Sequence, residues 1–359
     1  MLIEISLGMR KIKFYEAINE AFVTAMQIDQ NVICFGLGVD DPKGVFGTTL
    51  GLKEKFGGDR VFDIPASENA MTGIAIGASL NGIRPVMTHQ RLDFSLLSLD
   101  QIINNAAKFY FMFGGQHRVP VTIRLITGRG WGQGPTHSQN LQALFAHIPG
   151  LKVVMPTTAS DAKGLLLSSI FDDNPVIFIE HRWLHNLEGD VPEGDYRIKI
   201  GKARKISDGS DLTIVSMSYM TIEAIHALEI LNKFGITCDL IDLRSIKPMD
   251  WDAIYQSVEK TGRILALDTG VQNGSVSSEI IAEVCQHRWS VLKSKPERLG
   301  LPDIPTPTSP SLTKHFYKRS EDIINVVSKM MGKKLDGYAL IDRKNVPHDV
   351  PGDWFKGPF

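Results

Sequence analysis

The stretch Val61–His89, VFDIPASENAMTGIAIGASLNGIRPVMTH, is the most informative about architecture. Val61-Phe62-Asp63-Ile64 reads as a strand. A long helix of small residues is expected from about Asn69 to Asn81, and a second strand over Arg84 to His89. Strand, helix, strand at this spacing is the unit of a parallel sheet covered by helices. On its N-terminal side, residues 13–28 place Phe14, Ile18, Ala21, Phe22, Ala25 and Met26 at helical spacing. Val32-Ile33-Cys34-Phe35 is an apolar run of strand length, ending in Gly36 and a Gly/Asp/Pro-rich loop over 36–48.

Downstream, Leu96 to Phe113 is expected to be a helix and Pro120 to Thr127 a strongly apolar strand. A Gly-rich loop over 128–135 leads into a helix near 139–146. Lys152 to Met155 and Val176 to Glu180 are further strands, separated by a helix with a Ser160-Asp161 cap. Near 188–210 the composition turns polar and turn-rich. A second alternating series follows, with strands at 212–217, 237–242 and 263–268. Its helices are expected at 221–234, 250–260 and 276–288. Leu301 to Pro310 is extended, and a closing helix lies near 320–331. The expected organisation is α/β with two three-layer domains and mainly parallel sheets: 1–190, a linker at 191–207, 208–331, and an extended tail at 332–359.

The chain has 359 residues, with Lys+Arg 39 against Asp+Glu 40 and a net charge of −1. Hydrophobic residues make up 43% and charged residues 22%, so a mostly disordered or collagenous chain is excluded. Charge near zero disfavours nucleic acid as a partner and suits a chain that works inside an assembly. Cys34, Cys238 and Cys285 show no CxxC spacing, which points to a reducing compartment, hence cytoplasmic. The apolar runs are strand-length and interrupted, so no membrane span is expected. GxxxxGK[ST], HExxH and GxSxG are absent, and the glycines at 36–38 and 128–134 complete no GxGxxG.

Three segments carry chemistry. In Asp63-Ile64-Pro65-Ala66-Ser67-Glu68-Asn69 a strand ends and a helix begins, at the sheet edge where α/β folds bind ligands. Glu68 can share a proton with a ligand nitrogen, or it can simply complement the helix dipole. Gly73 and Gly77 lie four apart on one helix face, permitting close packing. In Gly128-Arg129-Gly130-Trp131-Gly132-Gln133-Gly134-Pro135-Thr136-His137, four glycines at alternate positions let backbone approach a ligand. His137 can act as acid, base or oxyanion donor, or it can cap or pack. In His89-Gln90-Arg91-Leu92-Asp93-Phe94, Phe94 can stack on a flat ring or belong to the core.

Together these segments resemble the beta subunit of thiamine-diphosphate-dependent 2-oxoacid dehydrogenases of the pyruvate and branched-chain type. They are also similar to the matching half of transketolase. The resemblance runs from about Lys13 to Met330. It is carried by DIPASENAMTGIAIGASLNGIRPVM (63–87), DQIINNAAKF (100–109), THSQ (136–139), HIPGLKVVMPTTASDAKGLL (147–166), DGSDLTIVSMS (208–218) and IDLRSIKPMD (241–250). It implies a pyrimidine-binding domain first and a transketolase-type C-terminal domain second. In the family, the glutamate matching Glu68 hydrogen-bonds the aminopyrimidine ring and promotes formation of the reactive ylid. The aromatic matching Phe94 stacks on that ring, and the histidine matching His137 faces the substrate. Potassium is held by backbone carbonyls matching Val121, Ser169, Ile170, Asp172 and Asn174.

The family holds the diphosphate and its magnesium with a GDG motif, and no GDG occurs in this chain. The resemblance therefore implies an alpha-type subunit that supplies it, in an assembly of two alpha and two beta subunits, with a lipoyl-acyltransferase core as a further partner. The isolated chain is expected to be inactive. Leu37 stands where most members carry an acidic residue, so coupling between active sites is expected to be altered. His89, Arg91, Arg129 and Trp131 are expected on the substrate side, and they suggest a 2-oxo substrate more polar than pyruvate. Two other readings are a split transketolase-like enzyme that transfers a two-carbon unit to a sugar-like acceptor, and a non-catalytic stabilising subunit.

Overall fold

The computed structural model describes residues 8–128, 133–341, 349–352 and 355. They separate into two compact units. The first takes the described residues up to Thr127 together with His147–Ile200; the second takes Gly128–Ala146 and the described residues from Gly201 onward. Among the described residues, no helix is long and apolar enough to cross a membrane.

The first unit starts with Met9–Lys13 (β1), Phe14–Ile28 (α1), Val32–Phe35 (β2), Leu52–Phe56 (α2) and Val61–Phe62 (β3). Glu68–Ser79 (α3), Arg84–His89 (β4), Phe109–Met112 (α4) and Thr122–Thr127 (β5) come next. After Gln142–His147 (α5), which belongs to the second unit up to Ala146, the first unit resumes with Lys152–Val154 (β6), Ala159–Ile170 (α6), Val176–His181 (β7) and Glu188–Pro192 (β8). Its parallel strands run in the order β6-β7-β5-β4-β2-β3. All six residues of β5 and of β7 are buried, as expected for central strands covered on both faces.

The apolar period of α1 is realised. Phe14, Ala17, Ile18, Ala21, Phe22, Ala25 and Met26 form its buried stripe, and α1 packs on α6. Each large side chain in that stripe stabilises the fold by about 1.5–3 kcal/mol through burial. The start of α1 is fixed by the Glu16 carboxylate, which accepts the Lys13 N–H at 2.7 Å. On α3 the buried face is Glu68, Thr72, Ala75, Ile76 and Ser79. Gly77 is exposed, and a Cβ placed there would meet nothing within 4 Å, whereas one at Gly73 would lie 3.4 Å from Gln101 Oε1, so of the two only Gly73 is at a packed position.

Two expectations are corrected here. The single helix expected over 96–113 is three short pieces: a 3₁₀ segment Leu92–Ser98, a wide π turn Gln101–Ala106, and α4. A polar side chain contributes to the break: Ser95 Oγ donates to Leu92 O at 2.7 Å, a side-chain-to-backbone bond that competes with a continuous ladder. The turn-rich stretch 188–210 contains two strands. β8 pairs antiparallel with β1, and Arg204–Ser207 (β9) borders the second sheet. Both are mostly polar and exposed, so hydrophobic periodicity carried no signal for them.

The second unit continues after β9 with Leu212–Ser216 (β10), Tyr219–Lys233 (α7), Cys238–Asp242 (β11), Ser245–Lys247 (β12) and Trp251–Thr261 (α8). Ile264–Val271 (β13), Val276–Arg288 (α9), Glu297–Leu301 (β14), Pro310–Thr313 (α10), Ser320–Met330 (α11) and Gly337–Leu340 (α12) complete it. Its five-stranded sheet has the order β14-β13-β10-β11-β9, with β9 antiparallel to β11. Leu212, Ile214, Leu240 and Leu265 meet Ala224 and Leu231 of α7 and Ile323 and Val327 of α11 in its core. Within the segment expected to be an extended tail, α12 is helical, and the buried Arg319 guanidinium donates to Val350 O.

One charged network crosses the core of the first unit. Arg124 on β5 and Glu180 on β7 are both fully buried. Arg124 Nε donates to Glu180 Oε2 at 3.0 Å, and Nη2 bonds both Glu180 Oε1 and Thr48 Oγ1. His185 Nε2 lies 3.0 Å from Glu180 Oε1. Burial alone would push the Glu180 carboxyl up, but Arg124 and His185 outweigh it and hold it at about 2. Arg124→Met should strand a buried carboxylate and cost about 3–5 kcal/mol, measured by urea denaturation. The double variant Arg124→Met/Glu180→Leu should recover most of that loss; a double variant as unstable as the single one would contradict the pairing.

Candidate active site

The loops after β2, β3 and β4 converge at the C-terminal edge of the first sheet. Gly36 makes this possible. Its φ is 152°, and a Cβ there would lie 2.1 Å from Thr88 O, so only glycine lets the loop cross the end of β4. Asp63 then ties the loops together, since its Oδ1 accepts the Gly38 and Ile64 N–H groups at 2.9 and 3.0 Å. Gln90 Nε2 donates to Leu37 O at 3.0 Å.

These contacts leave a small recess of about 20 Å³ lined by Leu37, Ile64, Glu68, Thr88, His89, Gln90 and Phe94. Glu68 is the first residue of α3 and only 8% exposed. Among the described residues, no group hydrogen-bonds its carboxylate, although the Thr72 hydroxyl donates to its backbone carbonyl at 2.8 Å. The helix N-terminus therefore supports the charge, and the carboxylate also faces the recess. His89 is buried, and its Nε2 has no partner among the described residues. Burial pushes the His89 imidazole down to about 4, so it is neutral at pH 7. Phe94 is half-buried, and with Leu37 and Ile64 it supplies apolar surface.

Arg91 follows directly. It is 4% exposed, and its Nη1 donates to Gln90 O at 2.8 Å. Its guanidinium carbon lies 4.9 Å from the Phe46 ring centroid, and that of Arg182 lies 4.6 Å from the same ring. Burial pushes Arg91 down to about 10, opposed by Asp93. Burial and the like charge of Arg91 do the same to Arg182. Both remain cationic at neutral pH.

Thus Glu68, His89 and Phe94, singled out in the sequence, line one recess, with Arg91 beside it. His137 belongs to the second unit, where it is exposed and its Nδ1 lies 3.0 Å from Thr136 Oγ1. Arg129 and Trp131 lie outside the described residues. Around the carbonyls named for potassium, Arg84 Nη1 donates to Ile170 O and Asp172 O at 3.3 and 3.0 Å. Val121 O accepts from Val176 N, Ser169 O accepts from Asp172 N, and Asn174 N donates to the Asp172 carboxylate. Sequence reasoning missed Asp63, Phe46 and Arg182. Asp63 had a usable signal, an acid at a strand end beside a Gly-rich loop; Phe46 and Arg182 had none.

Comparison with known proteins now defines the class. Residues 10–186 match the transketolase pyrimidine-binding domain, and residues 201–323 match the transketolase C-terminal domain. The chain is 42% identical over 332 residues to the beta subunit of acetoin:2,6-dichlorophenolindophenol oxidoreductase of Cupriavidus necator, covering 90% of this chain and 98% of that one. It is 38% identical to the 2-oxoisovalerate dehydrogenase beta subunit of Bacillus subtilis, covering 88% and 97%. It is also 38% identical to the pyruvate dehydrogenase E1 beta subunit of Rickettsia bellii, again covering 88% and 97%. A solved split-gene transketolase, described as an inactive beta4 tetramer, shares the fold with a TM-score of 0.74 at 21% identity over 90% of this chain and 99% of that one. The chain belongs to the transketolase-like family of 2-oxoacid and acetoin dehydrogenase beta subunits. The resemblance read from 63–87 and the segments around it is borne out. The split-transketolase reading is not favoured, because that likeness extends to fold alone.

The neutral, buried histidines have a pH consequence. His89 and His185 are both held at about 4 by burial. The unfolded chain binds these protons near pH 6.5, so stability is full above that value and falls as pH drops from about 6.5 to 4. His89→Leu should lower proton uptake on urea unfolding near pH 5 by about one proton, read by potentiometric titration. An unchanged uptake would place His89 in solvent.

Proposed function

We propose that this chain supplies the pyrimidine-binding half of the active site of a thiamine-diphosphate-dependent enzyme that decarboxylates a 2-oxo acid, or cleaves a related acyloin, and transfers the acyl unit. The carrying observation is the recess at the sheet edge. Among the described residues it combines a buried carboxylate with no partner, a neutral buried imidazole and an aromatic wall. Together they suit a flat heteroaromatic ring that bears N–H donors. When bound, the cofactor supplies a stabilised carbanion equivalent that the side chains themselves cannot make.

Within this reading the residues of the chain have defined roles. The Glu68 carboxylate accepts a hydrogen bond from a ring nitrogen and holds the proton that is exchanged there. Phe94 and Leu37 fix the plane of the ring and exclude water. The uncharged His89 can donate or accept at Nε2 without adding charge. His137 is the candidate for stabilising developing negative charge on the substrate. Arg91, Arg129 and Trp131 are the candidate substrate-side residues.

Magnesium and the diphosphate are assigned to an alpha-type partner in a two-alpha two-beta assembly, with a lipoyl-acyltransferase core receiving the acyl group. An exposed apolar patch supports a partner chain. Tyr110, Phe111, Met112 and Phe113 are all exposed, Phe111 to 88%. A potassium ion fits less well. Ile170 O and Asp172 O already accept from the Arg84 guanidinium, so an ion there would face a fixed positive charge, and no step is routed through it.

The test is co-expression with the alpha-type subunit, followed by calorimetric titration of thiamine diphosphate with magnesium. Binding should require both chains. Glu68→Gln should lower turnover by about 10²–10⁴-fold while leaving cofactor affinity within about tenfold. Tight binding by this chain alone would overturn the shared site, and full turnover by Glu68→Gln would overturn the role of the carboxylate.

A further inference from the structure

The segment that carries His137 is held at two points, both within the second unit. On one side the backbone turns between Gly134 and His137, whose N–H donates to Gly134 O at 3.2 Å. A Cβ at Gly134 would lie 2.6 Å from Thr308 Oγ1, so the chain runs directly against Thr308. On the other side stands Gln142, the first residue of α5 and 1% exposed. Its Nε2 donates to Asp268 Oδ1 at 2.5 Å and to Thr269 Oγ1 at 3.1 Å. Both acceptors lie toward the C-terminal end of β13. A Cβ at the next residue, Gly270, would lie 2.9 Å from Gln142 Nε2 and 3.0 Å from Asn140 O, so the absence of a side chain there permits the approach. Near the end of α5, Lys247 Nζ donates to Ala146 O at 2.8 Å.

Asp268 is the fixed point of this arrangement. It is buried, its Oδ1 also accepts the Gly270 N–H at 2.8 Å, and its Oδ2 accepts the Ser277 N–H at 3.0 Å, in the first turn of α9. Burial raises the Asp268 carboxyl above the usual carboxylate range, opposed by these N–H donors and by Gln142. Gln142 Oε1 has no partner among the described residues, so the amide is held through its nitrogen. Between Gly134 and Gln142, His137 is exposed while Ser138 beside it is buried. A covered segment thus presents one uncovered imidazole.

We propose that Gln142 and Asp268 are positioning residues for His137: their amide–carboxylate bond mounts the His137 segment on the end of β13 and sets where the imidazole can reach. The inference rests on the role given to His137 above and adds to it the part of the second unit that fixes that side chain. Displacing a catalytic group by about 1 Å costs on the order of 10²-fold in rate, so the mount bears directly on turnover.

Two measurements test it with Gln142→Met, which keeps the length of the side chain, removes the donor and leaves Asp268 its backbone partners. The first is hydrogen exchange of the full chain alone, read by mass spectrometry. Peptides over 136–146 should exchange about tenfold or more faster in the variant, while those from α9 change by less than about threefold. Unchanged exchange over 136–146 would overturn the anchor. The second uses the complex with the alpha-type subunit, thiamine diphosphate and magnesium, turning over pyruvate or acetoin with 2,6-dichlorophenolindophenol as electron acceptor. Gln142→Met should lower kcat by about ten- to a hundredfold and change KM by less than about threefold. Added to His137→Ala, it should cost little more, because both substitutions act through one imidazole. Losses that multiply in the double variant would make Gln142 a packing residue and overturn the proposal. Wild-type turnover by His137→Ala, or none by the wild-type complex, would instead overturn the reading on which the inference rests. The exchange experiment reads the anchor separately from either.

Discussion

The Arg124–Glu180 ion pair is the constraint that organises the sheet edge. It joins two neighbouring, fully buried strands of the first unit. Arg124 also holds Thr48, in the loop that carries Phe46, and Glu180 holds His185, just past Arg182. His185 stacks on Phe14 of α1 with ring centroids 5.9 Å apart, and Arg124 lies over Phe22 of the same helix. One buried bidentate contact thus fixes two strands, two loops and a helix. Such a pair contributes little net stability against an apolar replacement of the same shape, but breaking it is costly. Its value lies in specifying one arrangement of the edge.

The recess follows from that fixed edge. Gly36 allows the β2 loop to cross the end of β4, and Asp63 collects the backbone N–H groups of both neighbouring loops. The loops then have no freedom to fold inward over Glu68 and His89. Proteins seldom leave buried polar groups unpaired, because desolvation is not repaid. Here, among the described residues, the buried His89 Nε2 remains so in one apolar-walled hollow that Glu68 also lines, while Asp63, a few residues away, has its partners. The contrast separates the acid that holds the architecture from the acid that faces the recess.

Charge at this edge is arranged in layers. Glu180 is fully occupied within the core, Glu68 is held at a helix start, and Arg91 and Arg182 gather around one aromatic ring. His137 belongs to the second unit, as does the core of α7, α11 and the five-stranded sheet. The family assignment covers both units, with the pyrimidine-binding match over 10–186 and the C-terminal match over 201–323.

The α/β class, most of the strand and helix order, and the placing of Glu68, His89 and Phe94 near one sheet edge were legible in the amino-acid order. Those features are local: apolar period, a helix start beside an acid, a strand end turning polar. β1, β8 and β9 were not legible, because edge strands with polar, exposed residues have no hydrophobic period to read. The same local pattern suggested one helix where Ser95 bonds back to the Leu92 carbonyl and the segment is divided into short turns. It took the folded chain to show that Asp63 is a strut, that the packed face of α3 excludes Gly77, and that Arg182 and Arg91 share Phe46. Those facts depend on which strands become neighbours. That pairing brings together residues separated by tens of positions, and short-range pattern carries no record of it.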